Sequence, residues 1–180
     1  FRGSKADLWE GGHRVPYLVK WPRVIKAGSV SDALVCQTDL LATCAEIVGA
    51  EIPADAGEDS ESNLGLLKGN EPSFERKGII HHSISGHFAY REGNYKLLLA
   101  RGSGGWTTPS EKKAIKDGAP KAQLYDLAVD PGEQNNLCES ELELAEALLA
   151  ILTAYVESGA TVPGKTSSND VEAIKLWKSE

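Results

Sequence analysis

Methionine is absent from this chain and cysteine occurs only three times. With no methionine at position 1 and an opening that falls inside a motif, the chain is expected to begin mid-gene and to be a C-terminal fragment. The cysteines, Cys36, Cys44 and Cys138, are odd in number and lack Cys-x-x-Cys spacing, so they define no disulfide framework. A bridge from Cys36 to Cys44 would need a bend, because the two straddle a helix start. Buried free thiols are the expectation, and they leave the compartment open. No apolar run is long enough to cross a bilayer. Positive charge is in deficit: a formal net charge of −7 argues against nucleic acid or an anionic membrane as partner. An anionic substrate would need a local basic site.

In bulk the chain is ordinary. Its 180 residues, 41% hydrophobic and 25% charged, suffice for one medium domain with a core, or a small domain with appendages. The informative stretch is the start, from Phe1-Arg2-Gly3-Ser4-Lys5 through Trp9-Glu10-Gly11-Gly12-His13-Arg14-Val15-Pro16 to Trp21-Pro22. Three glycines and two basic side chains sit immediately before a short apolar run closed by proline. Such a loop brings its backbone close to something and leads into a buried strand. Gly3 ahead of Lys5, and Gly11-Gly12 ahead of His13-Arg14, would let backbone and cations converge on one phosphate, sulfate or carboxylate.

This segment, Arg-Gly-x-Lys-x-x-x-Trp-Glu-Gly-Gly-x-Arg-Val-Pro over residues 2 to 16 with an apolar strand after it, resembles the one sulfatases carry just after their last metal-binding residues. The resemblance implies that Lys5 binds the sulfate group and that Glu10, Arg14 and Pro16 hold the loop and strand. It implies hydrolysis of sulfuric esters to alcohol and sulfate by the full-length enzyme. It also implies two further groups there: a formylglycine nucleophile, made from the cysteine of Cys-x-Pro-x-Arg, and calcium or another divalent cation. None of the three cysteines has that context, since Thr38, Glu46 and Ser140 stand two places after them. This fragment is therefore expected to bind neither group and to be inactive alone.

Along the chain, Pro16 to Trp21 reads as a strand. Thr38-Asp39 then offers the N-cap of a helix with Leu40, Leu41, Cys44, Ile47 and Val48 on one apolar face and Gly49 as its stop. Residues 52 to 70 are rich in Pro, Gly, Asp, Glu and Ser and read as a surface crossing, with a boundary near Glu71-Pro72. Four short strands follow: Gly78 to Ile84, His87 to Arg91, Tyr95 to Ala100 after the turn Glu92-Gly93-Asn94, and Ala122 to Leu127 before the turn Asp130-Pro131-Gly132-Glu133. Ser140 with Glu143 forms a capping box ahead of a helix from about Glu141 to Ser158, apolar at Leu144, Leu148, Ile151, Leu152 and Tyr155. The expected fold class is α+β: a small four-stranded antiparallel sheet packed on a long C-terminal helix. Before it comes a strand-helix remnant of the large α/β catalytic domain. By the same resemblance, residues 1–70 form the edge of the catalytic domain and 71–180 the C-terminal subdomain with its tail.

Few residues could carry chemistry. Lys5, a compact ammonium with three donors, could neutralise sulfate oxygens or charge on the leaving oxygen. Arg2 and Arg14 are expected to brace the loop by pairing with Glu10 or Asp7. His13 could reach substrate or bond to backbone. His81 and His82 point to opposite faces of a strand, so the histidines read as structural rather than as a metal site. The loop Arg101-Gly102-Ser103-Gly104-Gly105-Trp106-Thr107-Thr108 offers amides, a cation and a stacking plane for substrate, through Arg101 and Trp106. The partners implied are a sulfated small molecule or sulfated carbohydrate and a missing N-terminal catalytic domain, with the unpaired strand as a route to a homo-oligomer. Family analogy points to periplasm, secretion or lysosome without deciding among them. Two rivals stand beside this: a phosphonate or phosphodiester hydrolase of the same alkaline phosphatase superfamily, and a non-catalytic module binding sulfated glycan.

Overall fold

The computed structural model describes residues 1–70, 74 and 76–178. In chain order its elements are α1 (Glu10–His13), α2 (Asp39–Val48), α3 (Leu64–Leu67), β1 (Gly78–His82), β2 (Phe88–Glu92), β3 (Tyr95–Leu98), α4 (Glu111–Lys116), β4 (Gln123–Asp126) and α5 (Leu142–Ser158). The boundary expected near Glu71-Pro72 lies outside the described residues. The chain divides into two compact units. One comprises Phe1–Val15, Ile80–Glu157 and Val171–Glu180, the other Pro16–Ile79 and Ser158–Asp170.

In the first unit the strands lie in the order β1-β2-β3-β4. β2 and β3 run antiparallel with Tyr90 opposite Leu97, and β3 and β4 antiparallel with Leu97 opposite Leu124. Gly93 takes a positive φ of 55° in the two-residue loop between β2 and β3, which a residue with a Cβ would resist. Successive side chains on a strand point to opposite faces. Phe88, Tyr90, Leu97, Leu99 and Leu124 therefore share one face, and Ala89, Leu98, Ala100 and Tyr125 the other. Ala145, Leu148 and Leu152 of α5, spaced three and four apart, cover the first face. Full burial of each leucine contributes about 1.5–3 kcal/mol. Leu8 and Trp9 cover the second face. The fold class is thus the α+β one expected, and the N-terminal motif packs against the back of the small sheet. One detail differs: the Ser140 hydroxyl donates to the Leu137 carbonyl at 3.2 Å rather than closing a capping box, and α5 begins at Leu142.

In the second unit α2 stops where expected, at Gly49 with φ 67°. Its orientation differs from expectation. Asp39, Ala42 and Thr43 are buried, whereas Leu40, Leu41, Ile47 and Val48 are exposed, Val48 by 74%. The inward side is polar because its partners are polar. Ser60 Oγ accepts from the Ala42 amide (2.9 Å), Thr43 Oγ1 meets Asn63 Oδ1 (2.9 Å), and the Asp39 carboxylate pairs with Arg76. Thr38 donates its hydroxyl to the Asp59 carbonyl at 3.0 Å and makes no side-chain cap on the helix. Pro16 to Trp21, expected as a strand, forms none, and Leu18 is 92% exposed. An apolar strand needs neighbours for its amides and carbonyls, and this chain supplies no ladder there among the described residues. The cysteines are free, but Cys44 is exposed and Cys36 and Cys138 are only half-buried, so the expectation of buried thiols does not hold.

Candidate functional site

Lys5 sits in a turn in which the Asp7 amide donates to the Ser4 carbonyl at 3.1 Å. Ala6 has φ 89°, at the third turn position, where type II turns favour glycine. The Lys5 side chain is exposed and has no partner among the described residues. What shapes the turn is Asp7, only 1% exposed. Its Oδ2 accepts from the Ser4 amide (2.7 Å), and its Oδ1 accepts from the amides of Trp106 (2.8 Å) and Thr107 (3.1 Å). Burial alone would raise the Asp7 carboxyl. The hydrogen bonds from Thr107, Ser4 and Trp106 outweigh it and hold the group below its ordinary value.

The Lys5 turn and the glycine-rich loop therefore lie side by side. Ser4 Oγ and Thr107 Oγ1 are 3.1 Å apart, and the Leu8 amide donates to the Ser103 carbonyl at 2.8 Å. Glycine is required where the backbones meet: a Cβ on Gly105 would lie 2.3 Å from the Ala6 carbonyl, and one on Gly12 would lie 2.1 Å from that of Asp7. Trp106 is held by its amide, and its ring is 67% exposed. Arg101 is placed differently. Its guanidinium donates to the Ala119 carbonyl, and Glu111 accepts from the amides of Arg101 and Gly102, both at 2.9 Å. Among the four residues singled out in the sequence, the structure thus brings Lys5 and Trp106 onto neighbouring loops with free side chains, and engages Arg101 in closing its own loop.

His13 faces inward. Its Nε2 lies 3.3 Å from Lys96 Nζ and 3.5 Å from Glu10 Oε1, and its ring lies over that of His81 with centroids 3.6 Å apart. His81 places Nε2 at 3.3 Å from the Leu8 carbonyl, so that nitrogen carries the proton. Burial, with the cations nearby, keeps this imidazole well below its usual pKa. Beneath lies a buried ionic cluster that sequence reasoning missed. Lys96 Nζ contacts Glu10 Oε1 (3.0 Å) and Glu133 Oε1 (2.9 Å), and Arg91 and Arg14 each approach Glu10 Oε2, at 3.4 and 3.3 Å. Burial would raise the Glu10 carboxyl, but His13 and Lys96 beside it hold it far below the usual range. Glu133 also accepts from the Glu10 amide at 2.6 Å. Arg14 thus pairs with Glu10 as expected. Arg2 instead donates to the Glu133 carbonyl at 2.6 Å and stacks on Trp9, its guanidinium carbon 3.7 Å from the ring centre. A signal was present: Lys96 shares a strand face with Leu98 and Ala100, and a lysine at such a position must have buried acidic partners.

A family model described as N-sulphoglucosamine sulphohydrolase, C-terminal, matches residues 4–102. The chain belongs to the sulfatase family. A sulfatase relative, the N-acetylgalactosamine-6-O-sulfatase of Bacteroides thetaiotaomicron, is 30% identical over 161 residues, covering 84% of this chain and 29% of that protein. The steryl-sulfatase of Rattus norvegicus is 39% identical over 199 residues, covering 98% of this chain and 34% of its own. A solved structure described under the metabolism of multiple glycosaminoglycans by Bacteroides thetaiotaomicron superposes with a TM-score of 0.72 at 29% identity, covering 86% of this chain and 31% of that one. The chain spans about a third of the length of the sulfatases it matches. Both the lysine turn and β1 to β3 fall within the residues matched by the sulfatase model.

Proposed function

We propose that this chain is the C-terminal part of an enzyme hydrolysing sulfuric esters, and that it supplies Lys5 to the sulfate and the Trp106 loop to the rim of the cleft. What carries the proposal is that Lys5, whose ammonium has no partner among the described residues, and Trp106, whose indole is exposed, stand on two loops joined through Asp7. The ammonium neutralises sulfate oxygens and opposes charge building on the departing oxygen. The indole gives a flat apolar surface to the sulfated molecule, whether carbohydrate or other small alcohol. Arg101 and His13 would reach substrate only by leaving their present contacts.

The residues here do not fit a formylglycine or a divalent cation. No cysteine stands in Cys-x-Pro-x-Arg, and no cluster of His, Cys, Asp or Glu among the described residues could hold a metal. Calcium and the aldehyde nucleophile are assigned to the N-terminal catalytic domain, with residues 1–70 as its edge and 71–180 as the smaller subdomain. The exposed face of α2, and separately a groove of about 620 Å³ lined by Tyr17, Leu18 and Val19 with Val30, Leu66 and Leu67, are offered to the rest of that domain. The 180-residue chain alone is expected to show no turnover.

The test is made in the full-length enzyme with an aryl sulfate and an aryl phosphate diester. Lys5→Ala should lower kcat/KM for the sulfate by about 100- to 1000-fold, with protein and metal content unchanged. Undiminished sulfate hydrolysis would remove Lys5 from the site, and preferential hydrolysis of the diester would favour the phosphodiesterase alternative.

A further inference from the structure

We propose that Asp7 is a positioning residue that sets where the Trp106 rim stands relative to Lys5, and so couples substrate selection to sulfate binding. The inference rests on the substrate roles proposed for Lys5 and Trp106. Its geometry does not. One carboxylate divides its two oxygens between two loops, Oδ2 to the amide preceding Lys5 and Oδ1 to the paired amides of Trp106 and Thr107. The group is buried, and each oxygen takes charge-assisted hydrogen bonds, which are stronger than neutral ones. Among the described residues its partners are amides and a hydroxyl, and no salt bridge competes for it. On the far side of the turn the Ala6 carbonyl accepts from the Ile84 amide at 3.0 Å. The Lys5 turn is thus fastened to the loop between β1 and β2, and the rim loop is fastened to the turn.

Asparagine at position 7 keeps the shape, keeps one acceptor oxygen and turns the other side into a donor. One half of the clamp must open. In the 180-residue chain, amide hydrogen exchange at Ser4, or at Trp106 and Thr107, should accelerate about tenfold or more in Asp7→Asn, while the amides of Leu97 and Leu98 keep their protection. Gly105→Ala, whose new Cβ would meet the Ala6 carbonyl at 2.3 Å, displaces the loop with Asp7 intact. It should loosen the Trp106 and Thr107 amides in the same way, and it stands in should Asp7→Asn unfold. No local change at these amides in a folded Asp7→Asn chain, or none in Gly105→Ala, would overturn the clamp.

The coupling is read in the full-length enzyme. Asp7→Asn should raise KM for a bulky sulfated substrate more than it lowers kcat, and that rise should shrink at least several-fold when Trp106 is already alanine. Independent, multiplicative effects of Asp7→Asn and Trp106→Ala would refute the positioning role. The exchange experiment holds whether or not sulfate is ever turned over, so failure of the clamp and failure of the substrate assignment are read separately.

Discussion

Lys96 and Glu133 meet at 2.9 Å with both side chains wholly out of solvent. The contact joins the middle of β3 to the turn after β4, and Glu10 closes it from the N-terminal motif at 3.0 Å. Glu133 pays for its place with a left-handed backbone, φ 52°, a conformation that persists only where surrounding contacts fix it. Buried charge thus ties α1 of the N-terminal motif to β3 and to the turn after β4.

Removing the shared cation should be costly. Lys96→Met leaves two buried carboxylates facing each other, and unfolding in urea should show a loss of about 3–5 kcal/mol. Adding Glu133→Gln should recover part of that loss. A single variant as stable as the native chain would show that the cluster is not buried in solution.

The α5 face is tested by Leu152→Ala. Leu152 has no exposed surface and lies among Tyr90, Leu97 and Leu148, so the cavity should cost about 2–5 kcal/mol. A loss below 1 kcal/mol, flagged by an unchanged urea midpoint, would place α5 elsewhere than on this sheet.

Ala6 offers the opposite outcome. Its φ of 89° is unfavourable for any side chain, so Ala6→Gly should stabilise the first unit by about 1 kcal/mol, seen as a higher melting temperature. A lower one would mean that the methyl group has a packing role outweighing the backbone strain.

Acid should open the Asp7 clamp. Because hydrogen bonds lower its pKa on folding, its stabilisation is full above the ordinary aspartate value and is lost as pH falls through the lowered folded value. Exchange at Trp106 and Thr107, corrected for intrinsic rates, should stay constant down to about pH 4 and accelerate only below. Loosening of these amides between neutral pH and that point would contradict the lowered pKa.

The second unit has a solution consequence. Leu18→Asp and Val48→Asp substitute exposed residues and should change stability by less than about 0.5 kcal/mol, yet reduce self-association in sedimentation experiments at high concentration. A large loss of stability would show that these side chains are covered in the free chain.

Much of this was legible from local pattern. Gly93 at the hairpin, Gly49 after α2, and the alternation from Phe88 to Ala100 placed turn, stop and strands, because each depends on neighbours a few residues away. The apolar face of α2 misled for the same reason. Leu40, Leu41 and Val48 mark a stripe that wants cover, and periodicity does not say whether the cover lies in this chain. At the candidate site, Lys5 came from its motif, whereas the partnership of Asp7 with Trp106 and Thr107 spans about a hundred residues and leaves no local trace. Lys96 and Glu133 were read as hairpin and turn for the same reason, since nothing nearby in sequence reveals that they face each other.

The near-contact of Gly105 with the Ala6 carbonyl separates what can vary from what cannot. Only a hydrogen atom fits there, so the spacing between the Trp106 loop and the Lys5 turn is set by bare backbone. Trp106 and Thr108, both exposed, can be exchanged without disturbing the turn, whereas Thr107 Oγ1 meets Ser4 Oγ at 3.1 Å and belongs to the seam. A library confined to positions 106 and 108 would vary the face that the proposed function gives to substrate and leave the Lys5 turn in place.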